Sequence, residues 1–168
     1  GGRIVEITGD VAGIDIGSRS IELVVLRGDE VAHAAKVPTT YDPVGQCRAL
    51  LRGVSAGCFV ATGYGRKLFV EAVPATAETA VTDITEIQAY ALGVARLFPQ
   101  ARTILDIGGQ DSTVITLGQE GRVLRFEMND RCAAGTGKFL EIMALSLQVP
   151  LEDFGAFAQA ADRRIAIN

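Results

Sequence analysis

The sequence predicts a mixed α/β protein built from two lobes that begin in the same way. Residues 12–26 and 103–117 each read as an apolar strand, an aspartate, a glycine turn and a second strand. Their first aspartates, Asp15 and Asp106, occupy matching places in the two segments. They stand 106 − 15 = 91 positions apart, too far for a short-period repeat, so the two segments are interpreted as halves of one duplicated architecture. An amphipathic helix within residues 81–98 leads into the second segment.

The element order of the first lobe is predicted to be β-β-β-α-β-α, which makes a mixed sheet with helices on its faces. Pro43 suits the first turn of the first helix. For the long helix, Asp83 is expected to be the N-cap, Glu86 to complete a capping box, and Pro99 to end the helix. The elements are expected near residues 12–17, 21–27 and 30–36 (strands), 43–52 (helix), 57–62 (strand) and 81–98 (helix).

The boundary between the lobes is expected near residues 100–102. The first lobe is therefore predicted to span residues 1–101 and the second residues 102–168.

Composition excludes several classes of function. Of 168 residues, 48% are apolar, which is enough for a buried core. The net charge is −4 and the 16 basic residues form no run, so a nucleic-acid surface is not expected. No apolar stretch approaches the roughly 20 residues that span a bilayer, and the protein is expected to be cytoplasmic, without a membrane partner.

The two glycine hairpins are suited to phosphate binding. Glycine lets backbone N–H groups approach anionic oxygens, and the hydroxyls of Ser18, Ser20 and Ser112 could donate hydrogen bonds. An aspartate at a strand end, as at Asp15 and Asp106, could hold hydrated Mg²⁺. The alternative is that Asp and Gly serve only the conformation of each turn, but two such hairpins in series favour the functional interpretation.

The segment MNDRCAAGTGKFLEIMA places Cys132 before a predicted helix over 134–147. Helix starts favour a thiolate, so Cys132 is a candidate metal ligand or redox group; the alternative is a small buried residue beside a phosphate-binding turn. Gly135 and Gly137 lower helix propensity, and close approach of the backbone to a cluster or a phosphate would explain them.

The other candidate ligands are assigned structural roles. Cys47 in a predicted helix and Cys58 in an apolar strand occupy places where a small apolar residue would pack. Three cysteines without framework spacing are typical of a reducing compartment. His33 is the one histidine, so a zinc site or a histidine-based triad has no support.

Four motifs in order, GIDIGS, ATGYGR, DIGGQD and NDRCAAGTGKFLE, resemble those of the ATP-dependent activators of 2-hydroxyacyl-CoA dehydratases, which are related to the ATPase subunits of benzoyl-CoA reductase. The similarity extends from Gly13 over nearly the whole chain. It implies an RNase H-like fold of the acetate kinase, Hsp70 and actin type, with the first lobe complete and the second partial. ATP or ADP with Mg²⁺ would bind between the lobes.

The resemblance carries functional residues over to this chain. Asp15 and Asp106 would organise Mg²⁺ and water, and Gln110 would orient the attacking water. The residues implied to bind the nucleotide phosphates are Gly13, Gly17, Ser18, Arg19, Ser20, Gly108, Gly109, Gln110, Asp111, Gly135 and Gly137.

Cys132 matches the family cysteine that binds a [4Fe-4S] cluster shared across a homodimer. The family's second cluster cysteine and its adenosine motif are expected beyond Asn168, so the chain is interpreted as an incomplete activator. Four thiolates usually hold such a cluster. The expectation is that this chain alone does not retain a stable cluster.

The leading hypothesis is an ATP-hydrolysing electron donor to a 2-hydroxyacyl-CoA dehydratase or a benzoyl-CoA reductase-type component, itself reduced by ferredoxin or flavodoxin. The alternative is a small-molecule kinase of the same superfamily, acting on a sugar or a carboxylate, which leaves Cys132 unexplained. A third possibility is an actin-like or chaperone-like module. Tyr64 and Arg66 receive no role from the sequence.

Overall fold

A computed structural model describes residues 9–165 of the chain. The chain divides into two compact units, Gly1–Gly93 and Val94–Asn168.

The first unit is built on a five-stranded mixed sheet in the order β3-β2-β1-β4-β5. Strand β1 pairs antiparallel with β2 and parallel with β4, which in turn runs parallel to β5. The carboxyl ends of β1, β4 and β5 therefore lie along one edge of the sheet. The elements are β1 Val11–Ile16, β2 Ser20–Arg27, β3 Glu30–Pro38, α1 Pro43–Leu50, β4 Cys58–Thr62, α2 Arg66–Ala72, β5 Ala80–Asp83 and α3 Glu86–Leu97.

Strand β1 is buried on one side only. Ala12, Ile14 and Ile16 are at most 3% exposed, whereas Gly13 and Asp15 alternate with them and lie on the opposite face. The strand thus fixes its own register through the core and leaves a carboxylate near its carboxyl end.

Helices α1 and α2 pack against the core of this sheet. Asp42 caps α1 by accepting a hydrogen bond from the amide of Gly45 at 2.9 Å, with Pro43 at the start of the helix as predicted. From α2, Phe69 is 2% exposed and its ring lies 6.4 Å from that of Phe59. Burying one such ring stabilises the fold by about 1.5–3 kcal/mol.

The predicted start of the long helix was wrong. Asp83 is the last residue of β5 rather than a cap, and α3 begins at Glu86. The capping box lies elsewhere: the Thr85 hydroxyl accepts from the Gln88 amide at 3.2 Å, and the Gln88 side chain accepts from the Thr85 amide at 3.1 Å. Helix α2 and strand β5 were not predicted because each is too short to show a period.

The second unit takes in the end of α3 from Val94 and then forms an antiparallel three-stranded sheet in the order β6-β7-β8. Two helices follow, and two single turns of 3₁₀ helix lie at Gln119–Gly121 and Leu151–Asp153. The elements are β6 Thr103–Ile107, β7 Ser112–Leu117, β8 Val123–Asn129, α4 Gly137–Leu147 and α5 Phe154–Ala160.

This sheet buries Ile115 and Leu117 on one face. On the other face Leu105, Ile107 and Val114 are 64%, 57% and 42% exposed. Within residues 9–165, none of the helices combines the length and apolar character needed to cross a bilayer.

Candidate functional site

The first hairpin closes through a tight, well-held turn. The amide of Gly17 donates to the carbonyl oxygen of Ser20 at 3.0 Å. Thr39 holds the turn from the end of β3, because its hydroxyl donates to the Gly17 carbonyl at 2.8 Å and its amide to the Arg19 carbonyl at 2.9 Å. Ser18 and Arg19 lie exposed at the tip, where the sequence places phosphate contacts.

Ser20 differs from Ser18 in where its hydroxyl points. Its Oγ donates to Glu22 Oε1 at 2.6 Å, and Glu22 also forms an ion pair with Lys36 at 2.9 Å. The single hydroxyl proton of Ser20 is committed to Glu22 in this structure. Ser18 therefore supplies the exposed hydroxyl of this turn.

Asp15 lies at the carboxyl edge of the sheet beside Thr62, its register partner on β4. The Thr62 hydroxyl oxygen is buried and has no hydrogen-bond partner among the described residues. Gly63 follows with φ +83°, and a Cβ there would lie 2.3 Å from Asp15 Oδ1 and 2.6 Å from the Ile16 carbonyl oxygen. Only glycine lets the backbone lie this close to the carboxylate.

The residues after Gly63 complete a turn, here called the GYGR turn (residues 63–66), that is hydrogen-bonded to the end of β1. The Gly65 amide donates to the Ile16 carbonyl at 2.9 Å, and Arg66 Nη1 donates to the Gly63 carbonyl at 3.2 Å. Tyr64 is 86% exposed and takes no part in packing.

Asp83 anchors this turn from the end of β5. Arg66 Nε lies 3.2 Å from one Asp83 carboxylate oxygen, and Lys67 Nζ lies 3.0 Å from the other. The Asp83 side chain is 18% exposed and that of Arg66 28%. Sequence reasoning missed this group, although the paired glycines and the basic residue of ATGYGR were a visible signal.

The second hairpin repeats the geometry of the first. The amide of Gly108 donates to the Asp111 carbonyl at 2.9 Å, at the same offset from Asp106 that the Gly17 to Ser20 bond has from Asp15. The duplicated pattern predicted from sequence is thus present in the backbone of both turns.

The tip of this turn is shaped by its own acid. A Cβ on Gly108 would lie 2.3 Å from Asp111 Oδ1, so that carboxylate lies against the turn. Gln110 is exposed and Gly109 is partly buried. Of the residues predicted here, Gln110 is the one most accessible to a ligand.

Helix α4 begins directly against this hairpin. The Gly137 amide donates to the Gly108 carbonyl and the Lys138 amide to the Gly109 carbonyl, both at 2.8 Å. A Cβ on Gly137 would lie 3.3 Å from the Gly108 oxygen. The predicted helix start at 134 was wrong: Gly135, at φ +77°, belongs to the preceding turn. A side chain at Gly137 would therefore crowd the hairpin backbone.

Cys132 is exposed and lies on the loop between β8 and α4, before the first turn of the helix. The side chain of Asn129 organises this loop. Its Nδ2 donates to the Cys132 carbonyl at 2.9 Å and to the Ala134 carbonyl at 3.2 Å, and its Oδ1 accepts from the Cys132 amide at 3.2 Å. The thiol is thus presented on a backbone fixed by one amide side chain.

The other two thiols are structural. Cys47 and Cys58 are 2% and 3% exposed. Burial raises the pKa of the Cys47 thiol to about 11 and also raises that of Cys58, which keeps both protonated. Between residues 9 and 165, no three His, Cys, Asp or Glu side chains gather in a way that could hold a metal ion.

The mixed five-stranded sheet, and a second unit that starts with the same hairpin, define the RNase H-like class of the acetate kinase, Hsp70 and actin type. This confirms the predicted fold class. Residues 12–168 match the BadF/BadG/BcrA/BcrD ATPase family. The chain belongs to this family.

Three relatives illustrate the similarity. The activator of lactoyl-CoA dehydratase from Anaerotignum propionicum is 40% identical over 89% of this chain and 58% of its own length. Component A of (R)-2-hydroxyglutaryl-CoA dehydratase from Acidaminococcus fermentans is 31% identical in sequence. Its crystal structure matches this chain with a TM-score of 0.81, and the match covers 95% of this chain and 62% of that one. The Clostridium difficile activator of 2-hydroxyisocaproyl-CoA dehydratase with bound ADPNP is 33% identical with a TM-score of 0.78, covering 94% and 59%.

The chain therefore spans about three fifths of the length of the relatives it matches. The ATPase family and the activator type of its relatives confirm the resemblance found in the motifs.

Proposed function

We propose that this chain is the nucleotide-binding part of an ATP-hydrolysing activator that passes a low-potential electron to a 2-hydroxyacyl-CoA dehydratase or a benzoyl-CoA reductase-type component. The observation that carries the ATPase part is the repeated hairpin. In each hairpin the glycine two residues after the aspartate donates its amide to the carbonyl three residues further on: Gly17 to Ser20 after Asp15, and Gly108 to Asp111 after Asp106. Each hairpin thus offers a glycine backbone and a carboxylate that suit phosphate and its metal.

The first hairpin supplies groups that suit Mg²⁺. Asp15 offers a carboxylate, and the buried Thr62 hydroxyl beside it has no hydrogen-bond partner among the described residues. Oxygen ligands of this kind are those that Mg²⁺ takes in nucleotide sites. When bound, the metal would neutralise charge on the phosphates, while Gly13, Gly17 and Ser18 would line the phosphate path.

The second hairpin would contribute Asp106 and Gln110. Gln110 is exposed at the tip, where its amide could hold and orient a water molecule. The amides of Gly137 and Lys138 at the start of α4 are already bonded to the carbonyls of Gly108 and Gly109. Contacts with phosphate would therefore be made by the turn residues rather than by the start of α4. Catalysis of this kind rests on positioning and charge stabilisation.

Cys132 is proposed as a thiolate ligand of a [4Fe-4S] cluster shared by two copies of the protein. Its loop is exposed and held by Asn129, as a ligand position requires. Four thiolates usually hold such a cluster, and Cys132 belongs to no group of three or more candidate metal ligands among the described residues, so the residues present do not by themselves form the site. Reduction by ferredoxin or flavodoxin, a homodimer and a cytoplasmic setting belong to the same proposal.

The ATPase proposal is tested with Asp15→Asn and Asp106→Asn in the intact protein, with Asp162→Asn as control because that side chain is 92% exposed. Either test variant is expected to lower ATP turnover by about 100-fold, the loss typical of a removed charge-stabilising group. Unchanged ATP turnover in Asp106→Asn would remove that residue from the mechanism.

The electron-donor proposal is tested with Cys132→Ala in the intact protein, since this chain alone is not expected to retain the cluster. This variant is expected to keep ATP hydrolysis but to lose bound iron and sulfide and to lose activation of the dehydratase, whereas Cys47→Ala keeps all of these. Activation of the partner by Cys132→Ala would contradict electron transfer through the cluster. Substrate-dependent release of ADP would instead favour the kinase alternative, which the activator relatives disfavour.

A further inference from the structure

The GYGR turn carries a motif that the proposed function leaves without a role. It lies against the strand end that bears Asp15 and leads directly into α2. Gly63 is confined by Asp15 Oδ1, Gly65 is bonded to the Ile16 carbonyl, and Arg66 is bonded to Gly63.

The contact between Gly63 and Asp15 is a restriction on the carboxylate. A Cβ on Gly63 would lie 2.3 Å from Oδ1, so the carboxylate lies against the Gly63 backbone, in space that any other residue would fill, and that backbone bounds it on this side. A side chain with fewer accessible rotamers loses less entropy when it is ordered by a ligand. The turn therefore favours one orientation of the Asp15 carboxylate before any ligand arrives.

The turn is itself held by a partly buried ion pair. Arg66 bonds to the Gly63 carbonyl through Nη1 and contacts Asp83 through Nε, so one guanidinium joins the turn to the end of β5. Lys67 contacts the other Asp83 oxygen. Because the Asp83 and Arg66 side chains are only 18% and 28% exposed, solvent screens this pair less than an ordinary surface pair.

A similar device holds the second hairpin. Gly135 has φ +77° and Gly63 has φ +83°, and in each case the glycine two positions later donates its amide to a hairpin carbonyl: Gly137 to Gly108 in the turn, and Gly65 to Ile16 at the end of β1, just before the turn. A basic residue follows both pairs, at Lys138 and Arg66. The two turns stand at different points in the element order, yet each ties a helix start to a candidate phosphate hairpin.

We propose that the GYGR turn, anchored by Asp83 through Arg66, is a positioning device that sets the Asp15 carboxylate for a Mg²⁺-bound nucleotide. Gly63, Arg66 and Asp83 are positioning residues that act through Asp15. This inference rests on the proposed nucleotide function of Asp15. It predicts that loss of the anchor raises the Mg²⁺ concentration that nucleotide binding requires, while the protein remains folded.

The experiment measures, in the intact protein, the Mg²⁺ concentration that gives half-maximal binding of a fluorescent ATP analogue, together with Tm. Gly63→Ala is compared with Gly53→Ala, since Gly53 has φ +78° but open space around its Cβ position. Asp83→Asn is compared with Asp10→Asn, which breaks the bidentate pair of Asp10 with Arg27 elsewhere in the same unit.

Gly63→Ala and Asp83→Asn are expected to raise the required Mg²⁺ concentration by about 10-fold, the size of effect typical of residues that orient a metal ligand. The two controls are expected to leave that concentration unchanged, although Gly53→Ala carries the same backbone strain. Arg66→Lys is expected to give a smaller increase in the required Mg²⁺ concentration. Lysine keeps the positive charge that pairs with Asp83, but it cannot also bond to the Gly63 carbonyl.

An unchanged Mg²⁺ requirement in both Asp83→Asn and Arg66→Lys would overturn the inference, whatever Gly63→Ala does to folding. Asp15→Asn separates this failure from failure of the proposed function. If Asp15→Asn abolishes Mg²⁺-dependent binding while the anchor variants do not change it, only the positioning role is lost. If Asp15→Asn also binds normally, both are overturned.

Discussion

The amide of Gly137 donates a 2.8 Å hydrogen bond to the carbonyl oxygen of Gly108. This bond joins the first residue of α4 to the turn of the second hairpin, and the adjacent pair of Lys138 and Gly109 repeats it. The loop that carries Cys132 leads directly into this junction. A displacement of the hairpin turn would therefore be transmitted to the start of α4.

Gly137→Ala is expected to destabilise the protein, because its Cβ would lie 3.3 Å from both the Gly108 oxygen and the Gly109 Cα. Crowding of this kind costs about 1–3 kcal/mol. Gly93→Ala in α3 is the matched control, since nothing lies within 4 Å of its Cβ position. Alanine there is expected to stabilise the helix by about 0.5–1 kcal/mol.

Scanning fluorimetry measures both changes, at about 2–4 °C in Tm for each kcal/mol in a chain of this size. A Tm for Gly137→Ala equal to or above that of the parent protein would show that the junction tolerates a methyl group.

Asn129→Ala is expected to loosen the Cys132 loop, because it removes all three hydrogen bonds that the side chain makes there. Hydrogen exchange of the Cys132 amide should become faster by about 10-fold, which corresponds to roughly 1.4 kcal/mol of lost local protection. Ser146→Ala is a suitable control, since its exposed hydroxyl bonds only within α4 to the Ile142 carbonyl. Equal exchange in the two variants would mean that the backbone holds the loop without Asn129.

Cys132 is expected to be the thiol that alkylates rapidly in the native protein. It is exposed, whereas Cys47 and Cys58 are 2% and 3% exposed. Brief iodoacetamide treatment followed by peptide mass spectrometry should modify Cys132 at least about 100-fold faster than the buried pair, in keeping with the cost of opening a core. Full modification of all three thiols before unfolding would contradict the burial of α1 and β4.

Stability is expected to fall at alkaline pH through Cys47. Burial raises the pKa of its thiol from 9.0 to about 11, so the folded protein keeps a proton that the unfolded chain loses. The contribution of the Cys47 thiol to the free energy of unfolding is complete below about pH 9. It is lost as the pH rises towards 11, with a slope of at most about 1.4 kcal/mol per pH unit.

Chemical denaturation at about pH 8 and about pH 10.5 compares the parent protein with Cys47→Ala. The parent is expected to lose more of its free energy of unfolding between the two pH values. Equal losses in the two proteins would assign the alkaline instability to other groups.

Local patterns in the sequence predicted much of the fold. Alternating residues such as Ile14 and Ile16 mark β1, and Pro43 marks the start of α1, because these signals depend only on neighbours along the chain. The cap of α3 was also present as Thr85 and Gln88, but Asp83 resembled an N-cap equally well. What distinguished them was the pairing of β5 with β4, which assigns Asp83 to a strand.

The candidate site was less accessible to sequence reasoning. The aspartates and glycines of the hairpins were predicted, since turn chemistry is local. The roles of Thr62 and Asp83 depend on the parallel neighbours β1, β4 and β5, which are brought together only by tertiary structure. Gly135 and Gly137 were predicted to bring the backbone close to a cluster or a phosphate. In the structure Gly137, the first residue of α4, meets the hairpin backbone, whereas Gly135 has φ +77° and open space around its Cβ position.

The outward face of the three-stranded sheet has a practical consequence. This face carries an exposed apolar strip formed by Leu105, Ile107 and Val114. The strip lies beside β6, which is an edge strand of this sheet among residues 9–165. A preparation of this chain by itself should adsorb to phenyl resins and brighten an environment-sensitive dye. Retention of such a preparation on a phenyl column would therefore show whether this strip is exposed, without an assay of nucleotide or iron.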